Sequence, residues 1–407
     1  MNITIEHPCP QCGGPVDLGE SDRILSCPYC DVKSCLSTSM PALILPSTGE
    51  YENMVYVPYM RFRGSVYSCT RNTVEYQVVD TSLLGVPALT ILPHSLGVRP
   101  QAMKTHFASK TLPGTFLKCL RSAKETAEQA GNIQKSNKKQ SIFHRAYIGE
   151  TVNIIYQPLF LKDNKLGDAI TDTFLARLPK GIDSLKKAID PSPNLDLQFL
   201  ATLCPQCGWN LSCTHDSVVL TCNNCDTAWK AEGGKFNQVK FLKYSSGAEE
   251  SLYLPFWKIE ISCRGLELDN FADFAKLINL PMIPQDEWES RPLAFWIPAF
   301  KVRPKIFLRL ANQLTGRIKE KPGEEIVPKR SHPVNMPKAE ALESLKVVLA
   351  SSSANTEKLL TRLPDIEISE TSTTLFYLPF DDSGYDLKQQ DTGISLNKQI
   401  LAWGKYL

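Results

Sequence analysis

Apolar residues fall into two kinds of run along this chain. Runs rich in β-branched and aromatic residues, Asn53 to Arg63, Thr73 to Val79, Asn153 to Leu161, Ser251 to Ser262, Leu293 to Val302 and Thr373 to Phe380, predict strands whose prolines suit edges or bulges. Helical spacing instead predicts helices over Ala102 to Lys110 and Ile306 to Leu314, each behind a proline, Pro100 or Pro304, that suits a first helical position. Gly316 suits the end of the second of these. Further helices are predicted at Leu117 to Ala130, Ala169 to Leu178, Phe271 to Ile278, Ala339 to Ser351 and Thr356 to Leu363. Together these elements define an α+β class with antiparallel sheets. The longest apolar stretches, Val86 to Leu92 and Leu252 to Trp257, are broken by proline well short of the ~18 to 20 residues a membrane helix needs.

Short marks recur along the chain in the same order. Tyr56-Val57-Pro58-Tyr59 returns as Tyr253-Leu254-Pro255-Phe256, and Ile91-Leu92-Pro93 with Val98-Arg99-Pro100 returns as Trp296-Ile297-Pro298 with Val302-Arg303-Pro304. Glu150-Thr151 with Tyr156-Gln157-Pro158 returns as Glu370-Thr371 with Tyr377-Leu378-Pro379. The offset grows slowly, as expected of a duplicated unit whose second copy gained loop residues at low entropic cost. The boundary falls in the proline-rich stretch Ile189 to Asn194. The predicted organisation is a cysteine module over 1–36, an α+β domain over 37–190, a second cysteine module over 196–232 and a second α+β domain over 233–407. Lys319 to Pro337 reads as a flexible insertion that orders on a partner.

Thirteen cysteines include four Cys-x2-Cys pairs. Cys9 and Cys12 are followed after fourteen residues by Cys27 and Cys30; Cys204 and Cys207 are followed after fourteen residues by Cys222 and Cys225. One such pair lets two thiolates from a tight turn reach one ion, and two pairs complete the tetrahedron that zinc accepts without strain. The fourteen residues between suit two short strands and a turn: Pro15 to Leu18 and Arg23 to Ser26 in one copy, Asn210 to Cys213 and Ser217 to Thr221 in the other. Over about 30 residues each, these segments resemble the zinc-ribbon family, the rubredoxin-like knuckle pairs of transcription factors and ribosomal proteins. That resemblance implies two Zn2+ ions per chain, with iron as the competing ion. Four sulfurs leave no open position for water or substrate, so the implied role is structural. Cys213 aligns with the apolar Leu18 and reads as a small buried hydrophobe, while Cys35, Cys69, Cys119 and Cys263 stand alone.

In a chain whose first residues, Met1 to Pro10, lack a basic and then apolar leader, paired cysteines suggest metal ligation in a reducing cytoplasm. Phosphate-loop, dinucleotide, nucleophile-elbow and His-Glu-x-x-His motifs are absent, and His7, His94, His106, His144, His215 and His332 make no ligand pair. No catalytic residue is assigned and no small-molecule substrate is evident. An enzyme using Asp269, Glu287 or Asp382 has no spacing behind it.

The net charge of +2 calls for no polyanion, yet it is unevenly spread. Residues 99–145 carry ten Lys/Arg against two Glu, and 301–330 carry nine against three, so each block is strongly cationic. The primary expectation is a non-enzymatic, cytoplasmic zinc-binding scaffold or adaptor that contacts other proteins in a larger assembly. A nucleic-acid-binding protein using the two blocks is the alternative, and a peripheral protein on an anionic membrane surface the second alternative.

Overall fold

The structure, a computed structural model, describes residues 3–133, 141–178, 180–245, 250–319, 321–354 and 356–404. Its strand-forming runs assemble as two long antiparallel pairs. In the first half the strands are β1 (Ala42–Ile44), β2 (Met54–Thr70), β3 (Val74–Leu84), β4 (Ile142–Lys162), β5 (Lys165–Asp168) and β6 (Thr173–Arg177). β2 lies antiparallel to β3 and β4, β1 joins β4 in parallel, and β5 and β6 continue from β4 as a meander. The second half has β7 (Phe241–Tyr244), β8 (Leu252–Arg264), β9 (Ala294–Pro298), β10 (Glu367–Ser383), β11 (Asp386–Gln389) and β12 (Ile394–Asn397). β8 lies antiparallel to β9 and β10, β7 joins β10 in parallel, and β11 and β12 continue from β10.

The central pairs share their register. Tyr56 faces Pro158 and Pro58 faces Tyr156, while Tyr253 faces Pro379 and Pro255 faces Tyr377. The carbonyl of Pro58 accepts from the amide of Gly85 (2.8 Å), just past the end of β3, and that of Pro255 accepts from Ala299 (3.0 Å), just past β9. The missing N–H of each proline therefore points beyond a strand end, where no ladder bond is lost. A bulge of one extra residue in β4 lies between the Ile148–Ser65 and Thr151–Arg63 pairs. Its counterpart in β10 lies between Glu370–Ile261 and Ser372–Glu260.

The helices α1 (Ala123–Ile133), α2 (Pro304–Arg317) and α3 (Leu345–Ser352) cover these sheets. Ala127 of α1 packs on Phe62, Val66 and Tyr147. α2 and α3 bury Phe307, Leu310, Leu314, Val347 and Val348 in a core that also takes Tyr67, Cys69, Ala146 and Ile148 from the far ends of β2 and β4. The first sheet thus extends into the second half, and burial of these large apolar side chains contributes roughly 1.5–3 kcal/mol each. No helix among the described residues is long and apolar enough to cross a membrane.

Several expectations are corrected. Ala102 to Lys110 is not a helix: a helical turn ends at Ala102, and Lys104–Phe107 forms a strand between Thr4–Pro8 and β1, burying Thr105 and Phe107. Ala169 to Leu178 is not a helix either: its first residues are a turn and Thr173–Arg177 is extended as β6, because Thr173, Phe174, Ala176 and Arg177 pair with β5. The helix expected from Leu117 starts at Ala123, behind a capping box in which the Ser122 hydroxyl accepts from the Glu125 amide (3.2 Å) and the Glu125 carboxylate accepts from the Ser122 amide (2.8 Å).

The sheets are not purely antiparallel, since four pairings among the described residues are parallel. Ile91-Leu92-Pro93 lies in a turn whereas Trp296-Ile297-Pro298 lies in β9, so those two marks occupy different structure. The stretch expected to be a flexible insertion is packed: Val334 and Met336 are buried, and the Arg330 and Val334 carbonyls accept from Tyr253 and Val218. The lysine-rich linker Gln134 to Gln140 lies outside the described residues.

Candidate metal centres

Each cysteine quartet is built from two turns of the same local geometry. The Gly13 amide donates to the Cys9 carbonyl (2.9 Å), Asp31 to Cys27 (3.0 Å) and Gly208 to Cys204 (2.9 Å), closing tight turns around the sulfurs. The residue directly after each second cysteine is left-handed: Gly13, Asp31, Gly208 and Asp226, with φ of 75, 56, 73 and 49°. Glycine and aspartate are residues that visit this region at low cost, and a signal of Gly or Asp after each pair was already present in the sequence.

All four sulfurs of each quartet lie within 4.8 Å of one another, in the sets Cys9, Cys12, Cys27, Cys30 and Cys204, Cys207, Cys222, Cys225. Sulfur separations are 3.8 Å for Cys9–Cys30, 3.6 Å for Cys12–Cys27, 3.6 Å for Cys204–Cys225 and 3.5 Å for Cys207–Cys222. A regular tetrahedron with ~2.3 Å metal–sulfur bonds has edges of about 3.8 Å, so both sets could hold a metal ion with little rearrangement.

The electrostatics agree. The Cys12 backbone amide, acting against burial and helped by the Gln11 amide, brings the Cys9 thiol down to about 7. Burial pushes Cys204 up, but the Cys207 and Gln206 amides and the Thr227 hydroxyl outweigh it and bring that thiol down to about 6. At the other end of each set, the Val32 amide favours the Cys30 thiolate and the Thr227 hydroxyl favours that of Cys225, yet burial and the three neighbouring sulfurs push both thiols up to about 12. Four thiolates this close ionise together only around a cation, which is the chemistry of a metal site.

The two centres differ in what surrounds the sulfurs. In the second, the Thr227 hydroxyl lies 3.2 Å from the Cys225 sulfur and 3.7 Å from Cys204, and it accepts from the Trp229 indole N–H (2.9 Å). The Asn224 side chain and the Trp209 amide hold the Cys207 thiol below its usual range. In the first, the corresponding positions are Val32 and Tyr29, and the sulfur contacts are backbone amides, Gln11 to Cys9 and Tyr29 to Cys27, both 3.4 Å. The modules touch: Ile24 and Cys35 share an apolar cluster with Cys204, Leu211, Leu220, Cys222 and Trp229. Strand Phe199–Ala201, just before the second quartet, pairs with Lys33–Leu36 of the first, and the Arg23 and Ile24 amides donate to the His215 carbonyl (2.6 and 2.9 Å).

The other candidates are dispersed. Cys35 and Cys69 are buried and burial pushes each thiol up to about 12, whereas Cys119, Cys213 and Cys263 are half-buried. His144 is pushed down to about 4 by burial and by Lys346 and Lys124. His7 stacks on Phe199, His94 meets Gln129, His106 the Glu6 carbonyl, His215 Asp22 and His332 the Pro333 carbonyl. Asp269 is exposed on a loop, Glu287 is exposed at the start of the short helix Glu287–Ser290, and Asp382 pairs with Lys398 (2.5 Å). No third group of metal-ligating side chains converges among the described residues.

Much of the basic blocks is engaged internally, with Arg99 on Asp168 (2.7 Å), Lys104 on Asp17 (3.0 Å), Lys110 on Asp196 (2.6 Å) and Lys321 on Asp391 (2.6 Å). Set against protein-family models, curated proteins and solved structures, the chain matches none.

Proposed function

We propose that both quartets are zinc ribbons holding structural Zn2+, and that the chain is a duplicated, non-enzymatic scaffold or adaptor that engages other proteins in the cytoplasm. The observation that carries the structural role is closure: four sulfurs fill each candidate centre, so a bound zinc has no position left for a substrate or a reactive water. Duplication is supported by the shared register of the two central strand pairs and by the matching bulges. A protein partner is favoured by large side chains left outside at the cysteine turns, with Tyr29 66% and Trp209 61% exposed.

The nucleic-acid reading draws on Arg303 and Lys305, which are exposed, but the ion pairs of Arg99, Lys104, Lys110 and Lys321 weigh against it. The same pairs weigh against an anionic membrane surface. Affinity purification of the full chain from its own lysate tests the adaptor reading. A stoichiometric protein that is lost from a Trp209→Ser/Tyr29→Ser double variant supports it. Recovery of no stoichiometric protein, or of nucleic acid with a steep salt dependence, counts against it.

A further inference from the structure

A cavity of ≈ 40 Å³ lies where the two cysteine modules and the two sheet regions meet, lined among others by Arg23, Asn153, Asp216, Lys301, Asn335 and Glu340. Its carboxylates already hold donors. Glu20 accepts from Arg61 (2.8 and 3.0 Å) and Asn153 (3.2 Å), and Asp22 from the Gly19 amide (2.7 Å) and His215. Asp216 accepts from Asn335 (2.6 Å) and the Thr214 hydroxyl (3.0 Å), and Glu340 from the Gly149 amide (2.5 Å).

The cations are treated differently. Arg23 donates to the neutral carbonyls of Thr38 (3.0 Å) and Ser39 (3.3 Å) and has no carboxylate in contact. No hydrogen bond or ion pair among the described residues reaches the Lys301 ammonium, although its backbone amide is held by Asn335 (2.7 Å). Lys301 is half-buried and lines this cavity, the placement expected of a side chain that reaches into it. A half-buried ammonium without a hydrogen-bonding partner is costly, and an acceptor of opposite charge beside it lowers that cost.

We propose that this cavity binds one small inorganic anion between Lys301 and Arg23, at the point where both halves of the chain converge. The volume sets the size of the ligand. At about 10–15 Å³ per enclosed water, the cavity takes a few waters' worth of atoms, enough for chloride or an oxyanion of sulfate or phosphate size and too little for a nucleotide. Burial pushes the Lys301 ammonium below its ordinary range, with Arg23 and Arg63 adding to that and Glu340 and Asp216 opposing it, which is the field an anion would relieve.

The test compares thermal unfolding of the full chain in chloride, sulfate, phosphate and gluconate at equal ionic strength, gluconate being too large for the cavity. At least one small anion is expected to raise the midpoint saturably above gluconate. Lys301→Met should weaken that anion at least about tenfold, the change expected when a charged hydrogen-bonding partner is removed. Lys305→Met, an exposed change on α2, should leave the response intact. Equal midpoints in all four salts, or an unchanged response in Lys301→Met, overturn the proposal. Crystals of the unaltered chain soaked in bromide and in selenate give a readout that needs no variant. An anomalous peak in contact with the Lys301 ammonium supports the site, and water alone in both soaks refutes it.

Discussion

The two cysteine modules are alike in every feature that faces the ion position and unlike in what stands behind it. Both space their pairs by fourteen residues, close their turns with a left-handed Gly and Asp, and hold their sulfurs at tetrahedral separations. Only the second backs its sulfurs with a hydroxyl, a side-chain amide and an indole, through Thr227, Asn224 and Trp229. Local turn geometry therefore suffices to assemble a four-sulfur set, whereas the strength with which thiolates are stabilised is tuned by neighbours that the ligand spacing does not dictate.

The comparison breaks most sharply on removal of a ligand. Cys204→Ala should abolish one of two metal equivalents and unfold the second module. Structural zinc in small domains contributes on the order of 10 kcal/mol, and Cys204 also belongs to the apolar cluster shared with Ile24 and Cys35. Hydrogen exchange should then show lost protection in Leu220–Cys222 and also in Lys33–Leu36. Protection retained in Lys33–Leu36 would mean the modules fold independently.

A second contrast lies between the halves, at the residue three positions after each Tyr-x-Pro proline. Arg61 is buried against Glu20 and Asp80, while its counterpart Lys258 pairs with Glu260 nearer the surface. Arg61→Met should cost about 3–5 kcal/mol because it leaves the buried Glu20 carboxylate without its counter-charge, with only the neutral Asn153 amide donating to it. Lys258→Met should cost less than about 2 kcal/mol. Denaturant titration of both variants checks the ranking, and equal losses would contradict it.

Smaller effects sharpen the difference around the sulfurs. Thr227→Val places at the second centre the residue found at the first, and should weaken metal affinity there about 10–100-fold in chelator competition while leaving the first centre unchanged. Gly208→Ala and Gly13→Ala should each cost about 1–2 kcal/mol from backbone strain alone, because open space surrounds both positions. A loss much beyond that at either position would point to a neighbour the structure does not place there.

What the chain disclosed by itself was mostly local. Ligand spacing, strand runs around the Tyr-x-Pro marks and the helix behind Pro304 are set by residues close in sequence, and they were legible. Lys104 to Phe107 was misread because its extended form comes from neighbours about a hundred residues away, at Thr4 to Glu6. The packed course of Lys321 to Pro337 similarly depends on Tyr253 and Ala299. The start of α1 was legible in Ser122-Ala-Lys-Glu125, a capping signature that the apolar spacing alone passes over. The junction around Lys301 draws on many separate stretches of chain, from Ile5 to Glu340, and no pattern along one stretch announces it.

Native mass spectrometry of the intact chain, followed by the same measurement after denaturation in acid, tests the metal account most directly. Two zinc ions retained in the folded chain and both released on unfolding are the predicted result. A metal-free folded chain, a single equivalent, or iron with its visible absorption in either quartet would contradict it.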